Sequence, residues 1–158
     1  MITTKNRVKD LMRTWQVLQQ LSPAPREILI TADGCTDETV AMVKAEMPIA
    51  KMIVNGEDKG SVASRDRMMR EARGDLVLAL DDDSYPEQLD CIARFVPIFE
   101  QRPRLAVLRF PLRTDEYPET LAQPNIGPEH LTRSFANSGA ALRRLHSSRK
   151  TFPCEHAV

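Results

Sequence analysis

The sequence predicts an α/β protein with a Rossmann-like, doubly wound and mostly parallel sheet. Three observations predict it. Stretches with apolar residues at helical period alternate with short apolar runs of strand length, joined by brief polar connections. One run, residues 75–80, is apolar almost throughout, as a strand buried on both faces of a parallel sheet should be. Two of the runs end in acidic clusters, at 33–37 and 81–83, and in open α/β sheets ligands sit at the carboxyl ends of the strands.

Each element has its own reason. Residues 8–21 carry Val8, Leu11, Met12, Trp15, Leu18 and Leu21 near a helical period, and Ser22-Pro23-Ala24-Pro25 stops them. Residues 27–31 form a short strand around Ile28, Leu29 and Ile30. Thr36 can cap a second helix with Val40, Val43 and Met47 on one face, ended by Pro48. Residues 50–54 are a second strand and 55–60 a polar loop. Ser61 can cap the next helix, with Val62, Met69 and Ala72 inward and Gly74 closing it. After the strand 75–80, Pro86 can begin a helix with Leu89, Ile92, Val96 and Phe99 inward. Residues 105–110 make a fourth strand. Residues 114–128 are polar, contain three prolines and read as a surface loop; 138–142 read as a short strand and 143–146 as the start of a helix.

The chain of 158 residues is long enough for one domain with its own core. Lysine plus arginine equals aspartate plus glutamate at 22 each, so no basic field recommends nucleic acid as a partner. Cys35, Cys91 and Cys154 are far apart, and His130, His146 and His156 lack ligand spacing, which argues against zinc. A reduced, cytoplasmic protein is the expectation, with the cytosolic face of a membrane as a further location. No run approaches the ~20 apolar residues of a membrane span, and the first residues lack a signal-peptide core.

Asp81, Asp82 and Asp83 carry the strongest chemical signal. Consecutive carboxylates after a buried strand repel one another unless something positive sits among them. Hard cations such as Mg²⁺ or Mn²⁺ prefer such oxygens and commonly bind a substrate phosphate as well. An acidic turn, with Ser84 and Pro86 breaking the strand, is the other reading of the same residues. In Asp33-Gly34-Cys35-Thr36-Asp37, Gly34 permits a tight turn and Asp33 at a strand end can accept a hydrogen bond from a base or sugar; an ordinary strand–turn–helix joint has the same form. Lys59, Gly60, Arg65 and Arg67 surround a helix N-terminus, where a diphosphate can be held, although Arg67 and Arg70 also suit a solvated basic face.

In this order and spacing, the motifs resemble family 2 glycosyltransferases, which have the GT-A fold. Thr3-Thr4-Lys5-Asn6-Arg7 is similar to the end of their first strand, Pro-Thr-Tyr-Asn-Arg. Ala32-Asp33-Gly34-Cys35-Thr36-Asp37 resembles Asp-Asp-Gly-Ser-Thr-Asp. Asn55-Gly56 through Lys59-Gly60, with Ala63-Ser64-Arg65-Asp66, resembles the Gly…Ala-Arg-Asn stretch. Ala72-Arg73-Gly74-Asp75 and Leu80-Asp81-Asp82-Asp83 resemble Ala-x-Gly-Asp and Asp-x-Asp. Residues 138–144 resemble the later segment ending in a basic pair.

The resemblance implies a single GT-A-like domain over 1–158, with a nucleotide-sugar-binding part at 1–110 and a partial acceptor-side part at 111–158. It implies Thr4, Arg7, Asp33, Lys59, Arg65, Asp81 and Asp82 as nucleotide-sugar-binding residues and Asp83 with Asp81 as ligands of Mn²⁺ or Mg²⁺. Asp33 would approach the base and Asp83 would hold the metal on the diphosphate. The partners implied are a nucleoside diphosphate sugar and an acceptor that is a saccharide, lipid or protein. Three departures stand out: Ala32 replaces the first aspartate, only Ile2 remains of the apolar first strand, and no Glu-Asp pair follows Arg143-Arg144. The expectation is therefore a chain cut short at both ends that binds a nucleotide sugar but transfers little of it. The catalytic base is unassigned, with Glu155, Asp115 and Glu116 as carboxylates to test. A non-catalytic binding fragment is the alternative. A haloacid-dehalogenase-like phosphatase also uses an apolar strand followed by Asp-x-Asp, but it expects Thr or Val where Tyr85 stands, and it usually places that strand first.

Overall fold

A computed structural model describes residues 1–110 and, as backbone alone, residues 140–143. The strands are β1 (Ile2–Thr4), β2 (Ile28–Asp33), β3 (Ala50–Asn55), β4 (Leu76–Asp81), β5 (Val107–Arg109) and β6 (Ala140–Arg143). The helices are α1 (Val8–Leu18), α2 (Thr39–Glu46), α3 (Ser61–Glu71) and α4 (Cys91–Gln101). They build a 6-stranded sheet in the order β3-β2-β1-β4-β6-β5. The first four strands run parallel, and β6 runs antiparallel to both β4 and β5. This is the expected α/β fold with a mostly parallel sheet.

Strand periodicity sorts the core onto two faces. Ile2 lies in register with Ile30 and with Leu80. These three pack with Leu11, Trp15 and Leu18 of α1 and with Val43 of α2. The alternate residues Leu29, Ile53 and Val77 pack instead with Met68 of α3 and with Ala72. At the far end of the sheet, Phe95 and Phe99 of α4 close over Leu108, their rings edge to face.

Several local expectations need correction. The second helix starts at Thr39 rather than after Thr36, because residues 34–38 remain a turn. Its first amide is held by Asp37, whose Oδ1 accepts from Thr39 N at 3.0 Å. Ser61 is the first residue of α3, not its cap; Gly60 precedes it at φ 82°. Val62 is 79% exposed. The inward stripe of α3 runs through Ser64 and Met68 and on to Ala72, four residues apart, and Val62 lies across the helix from it. The helix expected from Pro86 begins at Cys91, which leaves Leu89 in the preceding loop and exposed. Arg143 ends a strand instead of starting a helix. The loop expected at 114–128 and the helix expected through 144–146 lie outside the described residues. β4 is the fourth strand along the chain, not the position that the phosphatase resemblance asks for.

Candidate functional site

Because β1 to β4 are parallel, their last residues Thr4, Asp33, Asn55 and Asp81 share one edge of the sheet. The chain winds outward from β1 through β2 to β3, then returns to place β4 on the other side of β1. The switch point therefore falls between β1 and β4, the position at which open α/β sheets leave a crevice.

Strand alternation directs the edge residues to different faces. Asp33 and Asn55 are in register and point to the α3 side. Asp33 is buried, and its Oδ1 accepts from Asn55 Nδ2 at 2.8 Å and from the Lys59 amide at 3.0 Å. Asn55 Nδ2 also donates to Ser64 Oγ at 3.1 Å, and its Oδ1 accepts from the Arg67 guanidinium at 3.2 Å. Gly34 permits this packing. It sits at φ 64°, and a Cβ there would lie 2.6 Å from the Asp58 amide nitrogen. Asp58 in turn accepts from Lys5 Nζ at 2.6 Å and from the Gly60 amide at 2.9 Å. The Lys5 ammonium beside it, with the Gly60 amide, holds the Asp58 carboxyl below the usual range.

Asp81, in register with Thr3, also points to the α3 side, where Arg65 forms an ion pair with it. The Arg65 Nε is buried with no hydrogen-bond partner. Asp82 points the other way, to α1, and is buried. It accepts from Thr4 Oγ1 at 2.8 Å and from Arg7 at 3.0 Å, while its carbonyl accepts from Thr14 Oγ1 at 2.7 Å. Burial pushes the Asp82 carboxyl above the usual range, against the lowering influence of Thr4 and Arg7. Arg7 also reaches Asp83 at 2.9 Å and Asp10 at 3.0 Å. The strand alternation that would bring Asp83 to the side of Asp81 ends with β4. The chain turns there, Ser84 N donating to the Asp81 carbonyl at 3.1 Å, and Asp83 meets Arg7 beside Asp82.

The candidate residues thus divide into two groups. Asp33, Asp81, Arg65 and the Lys59 amide lie toward α3, and Thr4, Arg7, Asp82 and Asp83 toward α1. Asn6 links the two groups. From φ 53°, its Oδ1 accepts from the Thr36 amide at 2.7 Å and the Asp37 amide at 3.3 Å, which ties the end of β1 to the Asp33–Asp37 turn. Asn55, Ser64 and Thr14 were not singled out from the sequence as site residues. Asn55 had a signal in its position as the last polar residue of a strand next to Asp33. Thr14 had none, since a threonine inside an amphipathic helix announces no partner.

Among the described residues, no group of three or more His, Cys, Asp or Glu side chains is arranged to hold a metal ion. Asp81 and Asp83 supply the hard oxygen donors that Mg²⁺ or Mn²⁺ takes. The Asp83 side chain is 39% exposed and is ion-paired with Arg7. The donor chemistry fits a divalent cation, with guanidinium groups as its competitors. None of the described helices is long and apolar enough to cross a membrane.

The model of the family described as glycosyl transferase family 2 matches residues 1–153. An uncharacterized glycosyltransferase of Bacillus subtilis, YwdF, is 36% identical over 88 residues, covering 53% of this chain and 31% of that protein. Among solved structures, the mannosyltransferase PcManGT of Pyrobaculum calidifontis, in complex with GDP-Man and Mn²⁺, aligns with a TM-score of 0.67 at 19% identity, covering 90% of this chain and 43% of that one. Glucosyl-3-phosphoglycerate synthase of Mycobacterium tuberculosis, in complex with UDP, aligns at 0.61 and 15% identity, covering 90% and 55%. The chain therefore spans about a third of the curated relative and about half or less of these solved neighbours.

Proposed function

Since this chain belongs to glycosyl transferase family 2, we propose that the shared strand edge binds a nucleoside diphosphate sugar, with a divalent cation, for transfer of the sugar to an acceptor hydroxyl. The observation that carries this reading is the convergence of Thr4, Asp33, Asn55 and Asp81 at the ends of four parallel strands, beside the Arg7 and Arg65 guanidinium groups.

Asp33 is a rigid acceptor, braced by Asn55 and the Lys59 amide, and suits an N–H group of the base. Arg65 and Arg7 supply positive charge for the diphosphate. Asp81 and Asp83 would hold Mn²⁺ or Mg²⁺. The ion would supply charge stabilisation for the departing nucleoside diphosphate. In the transfer, the bond from the anomeric carbon to the phosphate oxygen breaks and its electron pair leaves with the nucleoside diphosphate. A bond to the acceptor oxygen forms, and a base takes the hydroxyl proton. Glu155, Asp115 and Glu116, the carboxylates named for that role, lie outside the described residues.

The test is calorimetric titration of the chain with UDP- and GDP-sugars in the presence and absence of Mn²⁺. Binding of at least one donor with Mn²⁺, lost in Asp33→Ala, is expected. Failure of every donor to bind with Mn²⁺ present would overturn the reading. The alternative, binding without transfer, is separated from this reading by an assay for the transferred sugar. A donor that binds with no sugar transferred to any of a panel of saccharide, lipid and peptide acceptors would decide for it.

A further inference from the structure

Resting on the donor-site reading, we propose that Arg65 is an exchangeable counter-ion: it neutralises Asp81 until a divalent cation and a diphosphate arrive together, and then passes to the diphosphate. Two observations on the same side chain point to this role. Its guanidinium is ion-paired with Asp81, the residue at the end of β4 whose oxygens suit a cation. Yet its Nε is buried without an acceptor, so the pair leaves one donor of the fork unsatisfied. The side chains of Arg65 and Asp81 are 25% and 23% exposed, so neither is locked away from a ligand.

Charge accounts for the coupling. Asp81, Asp82, Asp83 and Asp10 face only Arg65 and Arg7, so carboxylates outnumber guanidinium groups in the cluster. A lone cation that takes Asp81 must expel a guanidinium with no new partner. A lone diphosphate must approach carboxylates that repel it. Together the two ligands bring almost no net charge: the cation takes the carboxylate and the diphosphate takes the guanidinium, whose Nε then gains an acceptor. Each ligand therefore raises the affinity for the other, by a factor that linkage requires to be the same in both directions.

Mn²⁺ binding, read by the electron paramagnetic resonance of the free ion, tests this with UDP and GDP as probes, after correction for the Mn²⁺–nucleotide complex in solution. In the unaltered chain, saturating nucleotide is expected to tighten Mn²⁺ by about tenfold, within the usual range of such couplings. In Arg65→Gln, Mn²⁺ alone should bind several-fold tighter and the coupling should fall, leaving only what direct contact between the ion and the diphosphate contributes. In Asp81→Asn, with Arg65 released, UDP or GDP without metal should bind tighter than to the unaltered chain. Folding of each variant is checked by far-ultraviolet circular dichroism, and the two substitutions test the exchange from opposite sides. Unchanged Mn²⁺ affinity and coupling in Arg65→Gln would overturn the exchange, as would weaker metal-free nucleotide binding in Asp81→Asn. Either result leaves the donor-site reading standing. If neither nucleotide nor Mn²⁺ binds the unaltered chain, the donor-site reading falls and the exchange falls with it.

Discussion

Asp33 and Asp82 are both buried carboxylates at the same sheet edge, and the fold holds them in opposite ways. Asp33, on the α3 side, accepts from a side-chain amide and a backbone N–H contributed by β3 and the loop after it. Asp82, on the α1 side, accepts from a hydroxyl and from a guanidinium whose side chain is 45% exposed. One is fixed by the scaffold; the other leans on a partner that water can reach. Asp33 is therefore a preformed acceptor, whereas Asp82 belongs to a charge balance built around Arg7.

The largest effect should come from Asp33→Ala. It strands the Lys59 amide and removes one of two acceptors from Asn55 Nδ2, which should cost about 2–3 kcal/mol. Urea denaturation checks this, and a loss below the error of the method would show that Asp33 is not held in this way. Next comes Thr14→Val, which removes the donor to the Asp82 carbonyl while keeping shape, at a cost of about 1–2 kcal/mol. Thr14→Ser should restore most of it.

Asp82→Asn should change stability at neutral pH by no more than about 1 kcal/mol, because the charge it removes was costly to bury. Its signature lies in the pH dependence. Burial raises the Asp82 carboxyl above its unfolded value, so between those two values the folded chain keeps a proton that the unfolded chain has released. Stability then falls as pH rises through that window. Asp82→Asn should remove this slope, as followed by denaturation at a series of pH values from acid to neutral. The smallest effect belongs to Lys5→Met. The Lys5–Asp58 pair is exposed, so the melting temperature should not move. The Asp58 carboxyl should nonetheless titrate closer to its ordinary value, read by NMR.

The alternation of strands and helices was legible because apolar period and turn residues act locally. The shared edge was legible too, since parallel strands that end in Asp33 and Asp81 must end on one side. What sequence pattern missed depends on tertiary partners. Val62 satisfied a helical period but lay off the stripe through Ser64 and Met68, because a short helix with few apolar residues leaves its rotation undetermined until it meets β2. Strand alternation continued past Asp81 would put Asp83 on the same side, but β4 ends one residue into the acidic run. The hydrogen bond of Ser84 to the Asp81 carbonyl ends it, and no side-chain pattern signals a backbone turn of this kind. Asn6 and Asn55 stood inside recognised motifs, yet their hydrogen bonds span 30 and 22 residues of sequence and belong to the fold.

The antiparallel strand β6 has a consequence for how the molecule is made. It stands between β4 and β5, so Leu76 waits for Arg143 and Val107 waits for Leu142. A ribosome releases the four parallel strands first, and they can begin to assemble while β4 still presents an open border. β5 emerges next without a neighbour to pair with. Only when residues 140–143 leave the exit tunnel can the sheet be completed, by insertion between two strands already present. Pairing across so long a stretch of chain is slow to nucleate. Nascent chains halted before residue 140 should therefore be more open to proteases at β4 and β5 than chains released past it.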